Sequence, residues 1–126
     1  MKELIHTAIN MMQKARAPYS NYHVGAAVET NDGRVIGGCN VENSSYSLSN
    51  CAERTALFTA VAEGKYDFKA LAVATKNGGS PCGTCRQVIW ELCGKIPVYI
   101  CDSNGLIFET TSEALLPNPF DESKIK

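Results

Sequence analysis

Two short stretches decide the reading of this chain: "CAERTALF" at residues 51–58 and "SPCGTCRQ" at residues 80–87. In the first, Cys51 stands two residues before Glu53 at a predicted helix start. In the second, Cys82 and Cys85 are three apart at the next predicted helix start. Each start follows a strand. In a strand–helix–strand unit, helix starts gather at the carboxyl ends of the strands, so Cys51 is expected to converge with Cys82 and Cys85. Residues i and i+3 share a helix face and can grip one ion. The partial positive charge at a helix N-terminus favours thiolates.

Working outward, residues 2–16 carry Leu4, Ile5, Ala8, Ile9, Met12 and Ala15 at helical spacing, and Pro18 ends that helix. "HVGAAVET" (23–30) and "RVIGG" (34–38) read as strands of a hairpin turned by "NDG". Residues 39–50 form a polar loop in which Ser49 or Asn50 is expected to cap the next helix. That helix spans 51–63 and stops at Gly64. A strand over 68–76 follows, then Pro81 opens a helix over 82–93 ending at Gly94. Strands at 96–101 and 106–110 surround "DSNG", "TSEALL" (111–116) carries a capping pattern, and the tail "PNPFDESKIK" is expected to be extended. The order α-β-β-α-β-α-β-β-α predicts an α/β fold, one sheet with helices on its faces. With 126 residues, 44% hydrophobic and 20% charged, residues 1–126 are expected to form one domain with a real core.

Formal net charge is −1 and no basic stripe stands out, which argues against a nucleic-acid partner. "MKELIHTAINMMQKAR" carries charges throughout and reads as an amphipathic helix, neither signal peptide nor membrane span. The expected compartment is the cytoplasm, with no membrane partner. Six cysteines in a reducing compartment do not read as disulfides. A subset with metal spacing is the sharper reading.

Three thiolates suit zinc. Structural zinc sites are closed by four protein ligands, whereas catalytic ones keep a position open. Glu53, close to the metal but pointing elsewhere, suits a proton shuttle. The alternative is a closed site with Cys39 or His23 as fourth ligand. A zinc ribbon, however, needs two Cys-x-x-Cys pairs, and only one is present. A closed site also leaves Glu53 without a reason. Cys39, Cys93 and Cys101 are expected in the core or at strand ends, and His6 and His23 in surface or packing positions. Arg54, beside Glu53, is expected to offset the negative charge of the thiolates, with Arg86 a second candidate. Gln87 is expected to be structural. Backbone groups around Ala52 and Ser80 are further candidates for binding.

At these residues the chain resembles the small, zinc-dependent, homotetrameric cytidine deaminases. Cys51-Ala52-Glu53 followed by Pro81-Cys82-Gly83-Thr84-Cys85 matches the zinc deaminase signature. The likeness extends through "APYSNYHVGAA" (17–27), "GCNVENSSY" (38–46), "NCAERTALF" (50–58), "PCGTCRQVIWELC" (81–93) and "LLPNPF" (115–120). The resemblance implies a three-layer αβα fold around a mixed five-stranded sheet. It implies hydrolytic deamination of cytidine and deoxycytidine in pyrimidine salvage, with ammonia released. Carried over by position, Cys51, Cys82 and Cys85 would hold one zinc per chain, and Glu53 would shuttle the proton. Asn40 and Glu42 would bond the ribose hydroxyls. Tyr22 and Phe120 would flank the nucleoside, Phe120 arriving from a neighbouring subunit. The family usually has Phe where Tyr22 stands and often another residue at His23. Thr84, the Asn118–Pro119 pair and the short loop at 76–80 depart from it too, which bears on selectivity. The rivals are a deaminase for another cytosine nucleoside such as blasticidin S, which shares the zinc motif but not the "NVENSSY" loop, a nucleic-acid editor, and a non-catalytic zinc module. Near-neutral charge and the lack of an aromatic-rich basic groove argue against the editor.

Overall fold

The predicted hairpin forms the first edge of the sheet. Strands β1 (Gly25–Thr30) and β2 (Val35–Cys39) pair antiparallel across a tight turn, where Gly33 takes a φ of +89° that favours glycine. The computed structural model describes residues 1–125. Helix α1 (Lys2–Met11) precedes the hairpin, and α2 (Ala52–Ala62) and β3 (Phe68–Ala74) follow it. Then come α3 (Gly83–Cys93), β4 (Pro97–Asp102), β5 (Gly105–Thr111) and the short α4 (Ser112–Leu115). The strand order is β2-β1-β3-β4-β5. β3 and β4 are parallel and joined through α3, and every other neighbouring pair is antiparallel.

Period-two alternation gives the sheet two apolar faces. Ala26, Val28, Leu71, Val73, Val98 and Ile100 pack with Ala56, Leu57 and Ala60 of α2 and Ile89 of α3. Ala27, Ala70, Ala72, Ala74 and Cys101 receive Leu4 and Ala8 of α1. The alanine-rich second face lets α1 lie close, and a Cβ at Gly25 would overlap the Ala8 carbonyl oxygen. Gly38 does the same for α2, where a Cβ would meet the Ala52 carbonyl oxygen at 2.7 Å. These contacts fix the N-terminal turn of α2 against the sheet. The result is the expected three-layer αβα arrangement around a mixed five-stranded sheet.

Several boundaries differ from the sequence expectation. The first helix ends at Met11 with a 3-10 turn over Met12–Lys14, not at residue 16. Arg16 is drawn out of it by pairing: its N–H donates to the Asn40 carbonyl, and its own carbonyl accepts from Glu42 N–H at 2.8 Å. Neither Ser49 nor Asn50 caps α2. Cys51 is the N-cap residue, and its side chain makes no capping bond. Asn50 is held instead by two backbone bonds of 2.9 Å with Val41, and its side chain donates to Thr55 Oγ1. The strand expected over 68–76 ends at Ala74. Thr111 caps α4 as its pattern predicts, accepting from Ala114 N–H. The tail is not extended throughout, because Asp121 caps a 3-10 turn over Glu122–Lys124.

Candidate active site

The two helix starts do converge. Cys51 is the N-cap residue of α2, Cys82 that of α3, and Cys85 lies in the first turn of α3. Their sulfur atoms all lie within 4.8 Å of one another, and Cys51 Sγ is 3.9 Å from Cys82 Sγ. Thiolates around a tetrahedral zinc at about 2.3 Å stand about 3.8 Å apart. The electrostatics point the same way. The Cys51 thiol is held well below its ordinary range, first by hydrogen bonding from Cys85, then, against the cost of burial, by Arg54. Cys85 is pushed up by its hydrogen bond to the same Cys51 sulfur. Thiols this close resist ionising together, and a divalent cation relieves that repulsion. The cluster fits one zinc per chain. Cys39 donates to the Lys14 carbonyl at 3.5 Å, and neither it nor His23 joins the cluster among the described residues, so a fourth protein ligand is not in place.

A cleft of about 310 Å³ opens beside the sulfurs. Glu53 lines it from the first turn of α2 and is only 4% exposed. Burial pushes its carboxyl up to about 7, within the range suited to moving protons both ways near neutral pH. Arg54 Nη2 donates to Cys51 Sγ at 3.3 Å, and Arg54 Nε is buried without a partner among the described residues. Ala52 is fully buried in the cleft wall, and Ser80 and Gly79 line it from the loop before α3.

The opposite wall comes from residues 20–24 and 40–42. Asn40 and Glu42 both line the cleft. Asn40 Oδ1 accepts from Val24 N–H at 2.9 Å, and its Nδ2 donates to the Tyr22 carbonyl at 2.8 Å. Glu42 Oε1 accepts from the N–H groups of Tyr19 and Ser20, both at 3.0 Å, and the Ser20 hydroxyl donates to Oε2. These bonds, first that of the Ser20 hydroxyl, hold the Glu42 carboxyl below its ordinary range. It stays an anion with further lone pairs to offer. Tyr22 lines the same wall.

Phe120 stands apart. It is 60% exposed and borders a separate groove with Phe58 and Leu92, not its own chain's cleft. Gln87 Nε2 donates to its carbonyl, the structural role expected for that glutamine. Arg86 does not face the sulfurs. Its guanidinium donates to the Pro81 and Leu115 carbonyls and to Ser80 Oγ, tying the loop before α3 to α4. Sequence reasoning missed Ser20, Val73 and Thr75 as cleft residues. Val73, near the end of β3, and Thr75, just past it, are two residues apart, a spacing that carries a signal for one shared face; for Ser20 there was none.

A family model described as the cytidine and deoxycytidylate deaminase zinc-binding region matches residues 1–101, which hold all three clustered cysteines and Glu53. The chain belongs to that deaminase family. A cytidine deaminase of Sporosarcina psychrophila is 48% identical over 128 residues, covering 99% of this chain and 94% of the relative. One of Halalkalibacterium halodurans is 51% identical over 120 residues, covering 93% and 91%. The crystal structure of cytidine deaminase from Burkholderia pseudomallei superposes with a TM-score of 0.89 at 50% identity, covering 94% of this chain and 98% of that one. A blasticidin-S deaminase of Bacillus cereus is more distant, 33% identical over 109 residues. Among the described residues no helix is long and apolar enough to cross a membrane.

Proposed function

We propose that this chain hydrolyses cytidine and deoxycytidine to uridine and deoxyuridine with release of ammonia. One observation carries the reading: a carboxyl only 4% exposed, Glu53, shares a nucleoside-sized cleft with Cys51 and Cys82, two of the three clustered cysteines. Cys51, Cys82 and Cys85 would hold zinc, which supplies Lewis acidity to make water a competent nucleophile at neutral pH. Glu53 takes the proton from the attacking water and delivers it to N3 of the base, making C4 electrophilic. Once water has added at C4, Glu53 takes the second proton from the new C4 hydroxyl and passes it to the amine, which leaves as ammonia while the C4 carbonyl forms. A carboxyl whose burial raises it to about 7 can serve as base and then as acid. Arg54 balances the charge of the thiolate cluster through Cys51.

Glu42 and Asn40 receive the sugar hydroxyls, Glu42 as an acceptor and Asn40 through its amide. The backbone at Ala52 and Ser80 reads the edge of the base, and Tyr22 flanks it. The same reading includes a homotetramer in which Phe120 closes a neighbour's cleft. The outward position of Phe120, on a tail with Pro117 and Pro119, supports this. Six free cysteines suit a reducing compartment, in keeping with a cytoplasmic role in pyrimidine salvage.

The test is ammonia release from cytidine, deoxycytidine, cytosine and blasticidin S, side by side, by purified protein. Turnover of the two nucleosides and not of free cytosine is expected, because Glu42 and Asn40 require a sugar. Turnover of blasticidin S alone would replace this reading with the rival deaminase. Zinc binding without turnover of any would leave a zinc module.

A further inference from the structure

The cleft has two walls on different parts of the chain, and Tyr22 joins them. Its hydroxyl donates to Asn77 Oδ1 at 2.7 Å, across 55 positions of sequence. Lys76 Nζ stands 5.7 Å from the centre of its ring, within cation–π range. The loop it reaches is itself anchored. Thr75 Oγ1 donates to the same Asn77 oxygen at 3.3 Å and accepts from Gly79 N–H at 2.7 Å. Thr75 N–H in turn donates to the Cys101 carbonyl on β4. Gly79 leaves room for the bond, since a Cβ there would sit 2.7 Å from the Tyr22 hydroxyl.

The backbone of Tyr22 is already fixed. Its N–H donates to Ser20 Oγ at 3.0 Å, and its carbonyl accepts from Asn40 Nδ2 at 2.8 Å. Asn21 before it takes a φ of +57°, a conformation asparagine tolerates. What the hydroxyl adds is therefore confined to the side chain, holding the ring in one place against the cleft.

The geometry points to Tyr22 and Asn77 as a positioning pair that bolts the 20–24 wall to the 75–80 loop and presets the ring for the nucleoside. The inference rests on the proposed nucleoside reaction. A ring held against bound substrate serves ground state and transition state alike, so its loss appears in KM rather than kcat. One neutral hydrogen bond spent on preorganisation corresponds to about a three- to tenfold effect.

The experiment is steady-state cytidine kinetics on Tyr22→Phe, Asn77→Ala, the double variant and Asn77→Asp, with zinc content and melting temperature recorded for each. Tyr22→Phe keeps the ring and removes only the hydroxyl. KM is expected to rise about three- to tenfold in each single variant, with kcat within about twofold. The double variant should be no worse than either single, because both remove one bond. Asn77→Asp, which keeps an acceptor oxygen, should restore KM. Unchanged KM in Tyr22→Phe, multiplicative effects in the double variant, or a loss confined to kcat would overturn the pair. Failure of the reaction reading shows separately, as absent cytidine turnover in the wild type, and would remove the inference with it.

Discussion

Arg54 places its guanidinium 3.3 Å from the sulfur of Cys51, one helical turn from the residue it follows by three. The bond explains why a cation sits in the first turn of α2, where the helix dipole disfavours positive charge. Hydrogen bonds to charged groups are worth about 1.5–3 kcal/mol. Arg54→Gln is expected to retain a zinc-binding fold and to lower kcat roughly ten- to a hundredfold. Metal analysis alongside kinetics checks this, and wild-type turnover in the variant would remove Arg54 from the site.

Each clustered cysteine is expected to be indispensable for metal. Cys51→Ala, Cys82→Ala and Cys85→Ala should fall from one zinc per chain toward none and melt at lower temperature, since metal binding couples to folding. Strong chelators should lower the melting temperature of the wild type and leave that of the variants nearly unchanged. Wild-type zinc content in any one variant contradicts its assignment as a ligand.

The turn between β1 and β2 carries a pH-dependent contact. Lys65 Nζ donates to Asp32 Oδ2 at 2.7 Å, and Thr30 donates to Oδ1. The lysine bond first, then that of Thr30, lower the Asp32 carboxyl from 3.8 to about 2. A carboxyl depressed in the folded state stabilises it above its unfolded pKa and loses that contribution as pH falls through its folded value. The melting temperature of the wild type should therefore exceed that of Asp32→Asn at pH 6, and the gap should close as pH drops from about 4 toward 2. A gap that is constant with pH would exclude the ion pair as its source.

If Phe120 closes a neighbour's cleft, two dead parents can make a live hybrid. Glu53→Ala and a chain truncated before Pro119 should each show low activity. Unfolded and refolded together, they should form oligomers in which some clefts combine an intact Glu53 with an intact Phe120. Activity is expected to rise above the average of the parents. Demonstrably mixed oligomers with no recovery, or a fully active monomer by light scattering, would count against a cleft shared between subunits.

The elements and the cysteine–glutamate cluster were legible because each rests on local rules. Apolar runs marked β1 and β3, the Asn31-Asp32-Gly33 turn marked the hairpin, and spacing of three put Cys82 and Cys85 on one helix face. The cap of α2 was misjudged because Asn50 looked like a capping residue. Its partner, Val41, is a pairing across the loop that no local rule reports. Arg86, the second candidate to offset the thiolates, is engaged instead by Pro81 and Ser80 just before its helix and by Leu115, 29 residues away. The Tyr22–Asn77 bond, spanning still more of the chain, left no trace in spacing.

The central claim is that Glu53 moves the protons of a zinc-dependent nucleoside deamination, and Glu53→Gln tests it most directly. Glutamine keeps the shape of the side chain and removes its proton transfer. The account predicts one zinc per chain, a fold unchanged by circular dichroism, and cytidine turnover lowered by at least about 10²–10⁴-fold. Zinc-replete Glu53→Gln turning over cytidine within a few-fold of the wild type would contradict it.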